Sequence, residues 1–161
     1  MDSSQSLTIR ELQESLAGWE QGSKECVPRL AHALGFDDPD QVMERPYTAA
    51  APLHDLLTVE DLASLPDDDF EWLRSHVIGY TAYYLTSSYG GSWVVDADEN
   101  SPTYATYVLG DFPDPTPKNF KLDVGRRVAE FFDLPVGRSY TNLIGDLVES
   151  IPGIPHYDFS S

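Results

Sequence analysis

This chain is short of lysine, of cysteine and of long apolar runs. Lysine occurs only three times in 161 residues, and ten basic residues in all face 27 acidic ones, for a formal net charge of −17. Such a balance repels nucleic-acid phosphates and anionic membrane surfaces, so neither is expected as a partner. Arg126 and Arg127, with Lys118, Lys121 and Arg138, form the one basic stretch, and six acids share its segment. One cysteine, Cys26, excludes an internal disulfide and a Cys-based zinc site. No stretch approaches the roughly 20 apolar residues of a membrane span, and no apolar run follows the opening MDSSQS, so the cytoplasm is the default compartment.

Apolar residues at 41% and aromatics at 12% argue for a folded chain despite the charge. At this length a single domain, 1–161, is the natural expectation, with flexible ends at 1–6 and 152–161. The charge is uneven. Residues 37–117 hold sixteen acids against Arg45 and Arg74, while the segments before and after are nearly neutral. The same middle carries eleven of the nineteen aromatic residues. A proteome-wide acidic habit explains a low lysine count, but not a concentration in one half of the chain.

Local patterns predict a helix-rich α+β fold with one antiparallel β-hairpin, about 92–109, packed on a long central helix, about 67–89. Thr8-Ile-Arg-Glu11 has capping-box spacing, with Leu12, Leu16 and Trp19 on one face, and Gly18 and Gly22 are expected to end that helix. A second helix is expected over 25–34, and a short one after Asp38-Pro39. Residues 45–57, with two prolines, read as a connecting loop, and Thr58-Val-Glu-Asp61 as a capping signal. The central helix carries Phe70, Leu73, Val77, Tyr80 and Tyr84 on one stripe and Trp72, His76 and Tyr83 on another; Gly90-Gly91 ends it. Strands are expected at 92–96 and 103–109, then a proline-rich link and helices over 121–132 and 140–149, the last capped by Ser139. In the tail, Ile154, Tyr157 and Phe159 are the residues able to dock.

No motif here names a reaction. Asp96-Ala-Asp98-Glu99-Asn100 opens like a calcium loop, but Ser101 and Tyr107 stand where an EF-hand needs glycine and a bidentate acid. His32, His54, His76 and His156 are scattered, His54-Asp55 is adjacency without dyad geometry, and Gly90-Gly91 precedes a strand rather than a helix. No catalytic residue, cofactor or metal is therefore assigned. Asp67, Asp68, Asp69 and Glu71 sit where acids complement a helix N-terminus, as do Asp37, Asp38 and Asp40. Cys26 has Lys24 near it but reads first as a small packed side chain.

What remains is an aromatic set, Tyr80, Tyr83, Tyr84, Tyr89, Tyr104 and Tyr107 with Trp72 and Trp93, set among carboxylates. Tyrosine and tryptophan are preferred interface anchors, though ordinary core packing also accounts for them. The leading expectation is a non-enzymatic binding protein that neutralises or chaperones a basic protein partner, as an immunity-protein-like inhibitor or a nucleic-acid mimic would. Asp67, Asp68, Asp69, Asp96, Asp98 and Glu99 are expected to supply the charge and Tyr104 an anchor. The alternatives are a small enzyme or biosynthetic accessory protein with a Tyr/Asp-lined pocket between the central helix and the hairpin, and a homo-oligomeric subunit that buries its aromatics by self-association.

Overall fold

A computed structural model describes residues 3–153, with side chains from residue 9 onward. The expectations placed on residues 154–161, including docking by Ile154, Tyr157 and Phe159 and any role for His156, lie outside the described residues. Six α-helices and one two-stranded sheet follow in the order α1 (Ser3–Ala33), α2 (Asp40–Glu44), α3 (Ala50–Val59), α4 (Asp67–Tyr89), β1 (Ser92–Val95), β2 (Tyr107–Gly110), α5 (Val124–Phe132) and α6 (Tyr140–Ser150). Short 3-10 turns at Pro46–Ala49 and Leu62–Ser64 flank α3. The fold is helix-rich α+β.

The largest departure from the sequence pattern is α1. Two helices were expected, and one 31-residue helix runs through Gly18, Gly22 and Pro28. Packing outweighs propensity here. Val27, Leu30 and Ala31 are buried, and α1 runs antiparallel to α4, with Cys26 opposite Gly79 and the 28–33 turn opposite Trp72. A Cβ on Gly79 would lie 2.7 Å from the Cys26 Cβ and 2.8 Å from the Ser23 carbonyl oxygen. Glycine at that position lets the two helices approach.

The expected loop at 45–57 is also helical. Leu53 and Leu57, four apart, are buried on one face of α3, and Pro52 falls in its first turn, where its missing N–H is not needed. Thr58 does not cap a helix. Its hydroxyl donates to the His54 carbonyl at 2.8 Å and lies 3.0 Å from the Arg138 carbonyl, tying α3 to the segment before α6.

Helix α4 spans the expected residues and forms the centre of the core. Leu73, His76, Val77, Tyr80, Thr81, Ala82 and Leu85 are all buried along it. Its tyrosines fix other elements: Tyr80 donates to the Pro46 carbonyl at 2.6 Å and Tyr83 to the Met43 carbonyl at 2.7 Å, while the Thr81 and Tyr140 hydroxyls pair at 2.6 Å. Burial pushes the Tyr80 and Tyr140 hydroxyls well above the ordinary tyrosine range.

The hairpin pairs Ser92 with Gly110 through Val95 with Tyr107, shorter than the sequence pattern implied. It is held chiefly on α1. Tyr107 donates to the Leu12 carbonyl at 2.8 Å, Trp93 Nε1 donates to Ser23 Oγ at 3.1 Å, and Trp19 stacks on Tyr107. A bridge between Leu109 and Leu122 leads into α5, whose start is capped by Asp123 as α6 is by Ser139.

Candidate functional site

The structure divides the acids named above into two groups. Asp67, Asp68 and Asp69 form the exposed first turn of α4, and none of them joins a salt bridge among the described residues. Asp98, Glu99 and Tyr104 lie in the turn that joins the strands, beside Tyr107. Tyr107 bonds to the Leu12 carbonyl, whereas Trp72, near the start of α4, lines one groove with His32 and Ala33. Twenty residues of unbroken helix separate Leu12 from His32, so the two groups stand roughly 30 Å apart.

Asp96 leaves the surface altogether. It is 1% exposed, and its carboxylate accepts bonds from the Ser101 hydroxyl at 2.6 Å, from the Thr103 hydroxyl and from the Asp98 amide at 3.1 Å. Burial alone would raise its pKa, but these bonds, with the charge of Lys121, outweigh it and hold the carboxyl below the usual range. Asp96 is thus the keystone of the turn and offers no charge to a partner. Asp98 and Glu99 are exposed, with Asp98 Oδ1 accepting from the Asn100 amide at 3.0 Å, and Tyr104 is half-buried.

The aromatic set sorts in the same way. Tyr80, Tyr83, Tyr107 and Trp93 have their polar atoms tied to backbone or to Ser23. Trp72 differs. It is 40% exposed, and its indole stacks on the His76 imidazole. It lines two open grooves. The larger, about 550 Å³, runs between α1 and α2 past His32 and Asp40. The smaller, about 280 Å³, lies between α3 and α4 and includes Glu60 and Asp69. Asp40, Glu60 and Asp69 come from three separate acidic segments, and none of them pairs with a cation among the described residues. These acids from separate segments border one aromatic side chain, with Arg29, itself paired with Glu25, in the wall of the larger groove. The signal in the sequence was faint: Trp72 sits one position before the buried Leu73, off the main apolar stripe.

A cleft of about 320 Å³ does lie between α1, α4 and β1, the place the enzyme alternative gives to a reaction pocket. Its lining is Ser23, Lys24, Glu20, Thr86 and Trp93 among others, and its one tyrosine, Tyr83, already donates to Met43. Neither His76 nor any aspartate lines it. Burial raises the Cys26 thiol pKa, which works against thiolate formation. Among the described residues no three His, Cys, Asp or Glu side chains gather as metal ligands, and no helix is long and apolar enough to cross a membrane.

The basic stretch is dispersed. Lys118 pairs with Asp114 and Arg126 with Glu130, while Arg138 is buried and donates to the carbonyls of Leu57, Glu60 and Leu134. No family model, no curated protein and no solved structure matches this chain.

Proposed function

We propose that this chain is a non-enzymatic acidic binding protein that neutralises or chaperones a basic protein partner, acting through the surface around Trp72. An immunity-protein-like inhibitor is the sharpest form of that reading. The observation that carries it is the convergence of Asp40, Glu60 and the Asp67–Asp69 turn around a half-exposed tryptophan, none of these acids being in a salt bridge among the described residues and the one arginine in the groove wall, Arg29, being paired with Glu25. Unpaired exposed acids steer a basic partner toward the surface, and a desolvated indole then slows its departure.

Capture of partners on the tagged protein at low and moderate salt, followed by association-rate measurements, tests the reading. Asp67→Asn/Asp68→Asn/Asp69→Asn should lower the association rate by about tenfold and flatten its salt dependence. Trp72→Ala should chiefly raise the dissociation rate. Asp98→Asn/Glu99→Gln, at the far end of α1, should change little. A basic partner held equally by all three variants, or no basic partner at either salt, overturns it.

A further inference from the structure

The smaller groove beside Trp72 has a chemistry of its own. Leu73 is buried in it, Leu56 and Leu65 are half-buried, and the Trp72 indole forms a wall. Glu60 and Asp69 supply carboxylates, and neither has a salt-bridge partner among the described residues. Arg138 passes close by, but its Nη1 donates at 2.6 Å to the Leu57 carbonyl and at 2.9 Å to that of Glu60, so it is committed to backbone oxygens. At about 280 Å³ the groove falls below the roughly 300–1,000 Å³ of small-molecule sites.

This combination excludes most occupants. A purely apolar group would desolvate two carboxylates without compensation, and an anion would be repelled. A small ammonium ion would leave the leucines uncovered. The geometry points to a single arginine side chain of the basic partner as the occupant. Its methylenes would cover Leu56, Leu65 and Leu73, while its planar guanidinium lies against the indole and donates to Glu60 and Asp69. His76 stacks on the indole, 3.9 Å away and within 17° of parallel, which holds Trp72 in place, and 40% of the residue remains exposed to a cation. Lysine fits less well, because a compact ammonium cannot stack and bridge two carboxylates at once. The inference rests on the binding reading above and adds which side chain the surface recognises.

The test is a titration of the full chain with acetylated, amidated tetra-arginine, with tetra-lysine beside it. The readouts are the Trp72 indole N–H resonance, assigned with Trp72→Phe, and the leucine methyl resonances. Tetra-arginine should shift Trp72 and the methyls of Leu56, Leu65 and Leu73. Glu60→Gln/Asp69→Asn should weaken its binding by about tenfold, against less than about twofold for Asp98→Asn/Glu99→Gln, and tetra-lysine should bind several-fold more weakly. Shifts that map elsewhere, equal losses in both double variants, or equal binding of the two peptides overturn the inference. A native basic partner that still needs Asp67 and Asp68 but is indifferent to Glu60→Gln overturns the arginine groove alone. Absence of any basic partner overturns the wider reading, and the peptide titration then judges the groove by itself.

Discussion

The Trp72 indole and the His76 imidazole lie one helical turn apart on α4, with ring centroids 3.9 Å apart and planes within 17° of parallel. The stack fixes the chemistry of both. His76 Nδ1 lies 2.7 Å from the Trp72 carbonyl oxygen and so carries the hydrogen, while Nε2 is buried with no hydrogen-bond partner among the described residues. The ring is therefore held neutral at the base of a half-exposed indole.

That arrangement makes stability pH-dependent. Burial lowers the His76 pKa, partly opposed by the Trp72 carbonyl and assisted by the nearby Arg29 charge. A lowered folded-state pKa means that the unfolded chain binds the extra proton first. The contribution is complete at neutral pH and is lost as pH falls through about 6.5, the unfolded value, toward the lower folded value. Thermal melts of the wild type should lose stability across that window, and His76→Phe should remove the loss. Parallel profiles for the two proteins would exclude His76 as its source.

Asp96 acts in a separate, more acidic window. Its folded pKa is depressed, so its contribution is present above about 3.9 and is lost as pH falls through the folded value. Asp96→Ala should destabilise the chain by about 2–3 kcal/mol in urea melts at neutral pH, since three donors lose a charged acceptor. Asp98→Ala, which releases one exposed amide, should cost well under about 1 kcal/mol.

The glycines of the α1–α4 pair should respond in opposite directions. Gly79→Ala brings a methyl within 2.7 Å of Cys26 Cβ and 2.8 Å of a backbone oxygen, an overpacking cost of about 1–3 kcal/mol. A Cβ on Gly18 or Gly22 meets nothing within 4 Å. Gly18→Ala and Gly22→Ala should each stabilise by about 0.5–1 kcal/mol through helix propensity, read by chemical denaturation.

Arg138 should prove structural. Arg138→Met removes donors to the Leu57, Glu60 and Leu134 carbonyls and should cost about 2–3 kcal/mol by denaturant unfolding. Arg138→Lys should recover only part of that, because an ammonium cannot reach all three oxygens with the geometry of a guanidinium.

Elements that carry their own start and stop signals were legible in the sequence. Helix α4 lies between Pro66 and Gly90 and α6 begins at the Ser139 cap, whereas α5, expected from 121, begins only at Val124, after the Asp123 cap. Elements defined by what they pack on were not. Gly18 and Gly22 read as breaks, yet α1 continues because its Val27, Leu30 and Ala31 face is buried. Pro46, Pro52 and the alanines disguised α3 in the same way. At the candidate site, Asp67–Asp69 were readable as an exposed helix start, but the approach of Asp40 and Glu60 to Trp72 depends on tertiary folding. Asp96 departs from the expected partner-facing acids because its hydroxyl neighbours draw it inward. Ser101 and Thr103, five and seven residues on, are the signal that such an aspartate turns inward.

The unbroken length of α1 also sets a valence for the molecule. It holds the acids of the hairpin turn and those at the start of α4 roughly 30 Å apart, well beyond the Debye length of about 8 Å at physiological ionic strength. In that salt each group is electrostatically blind to the other. Under the proposed reading, a compact partner at Trp72 would feel only one acidic group, while a long basic strand would reach both and gain avidity from the span. The same rod would thus distinguish a globular cationic partner from an extended one by reach alone, before any side chain is read.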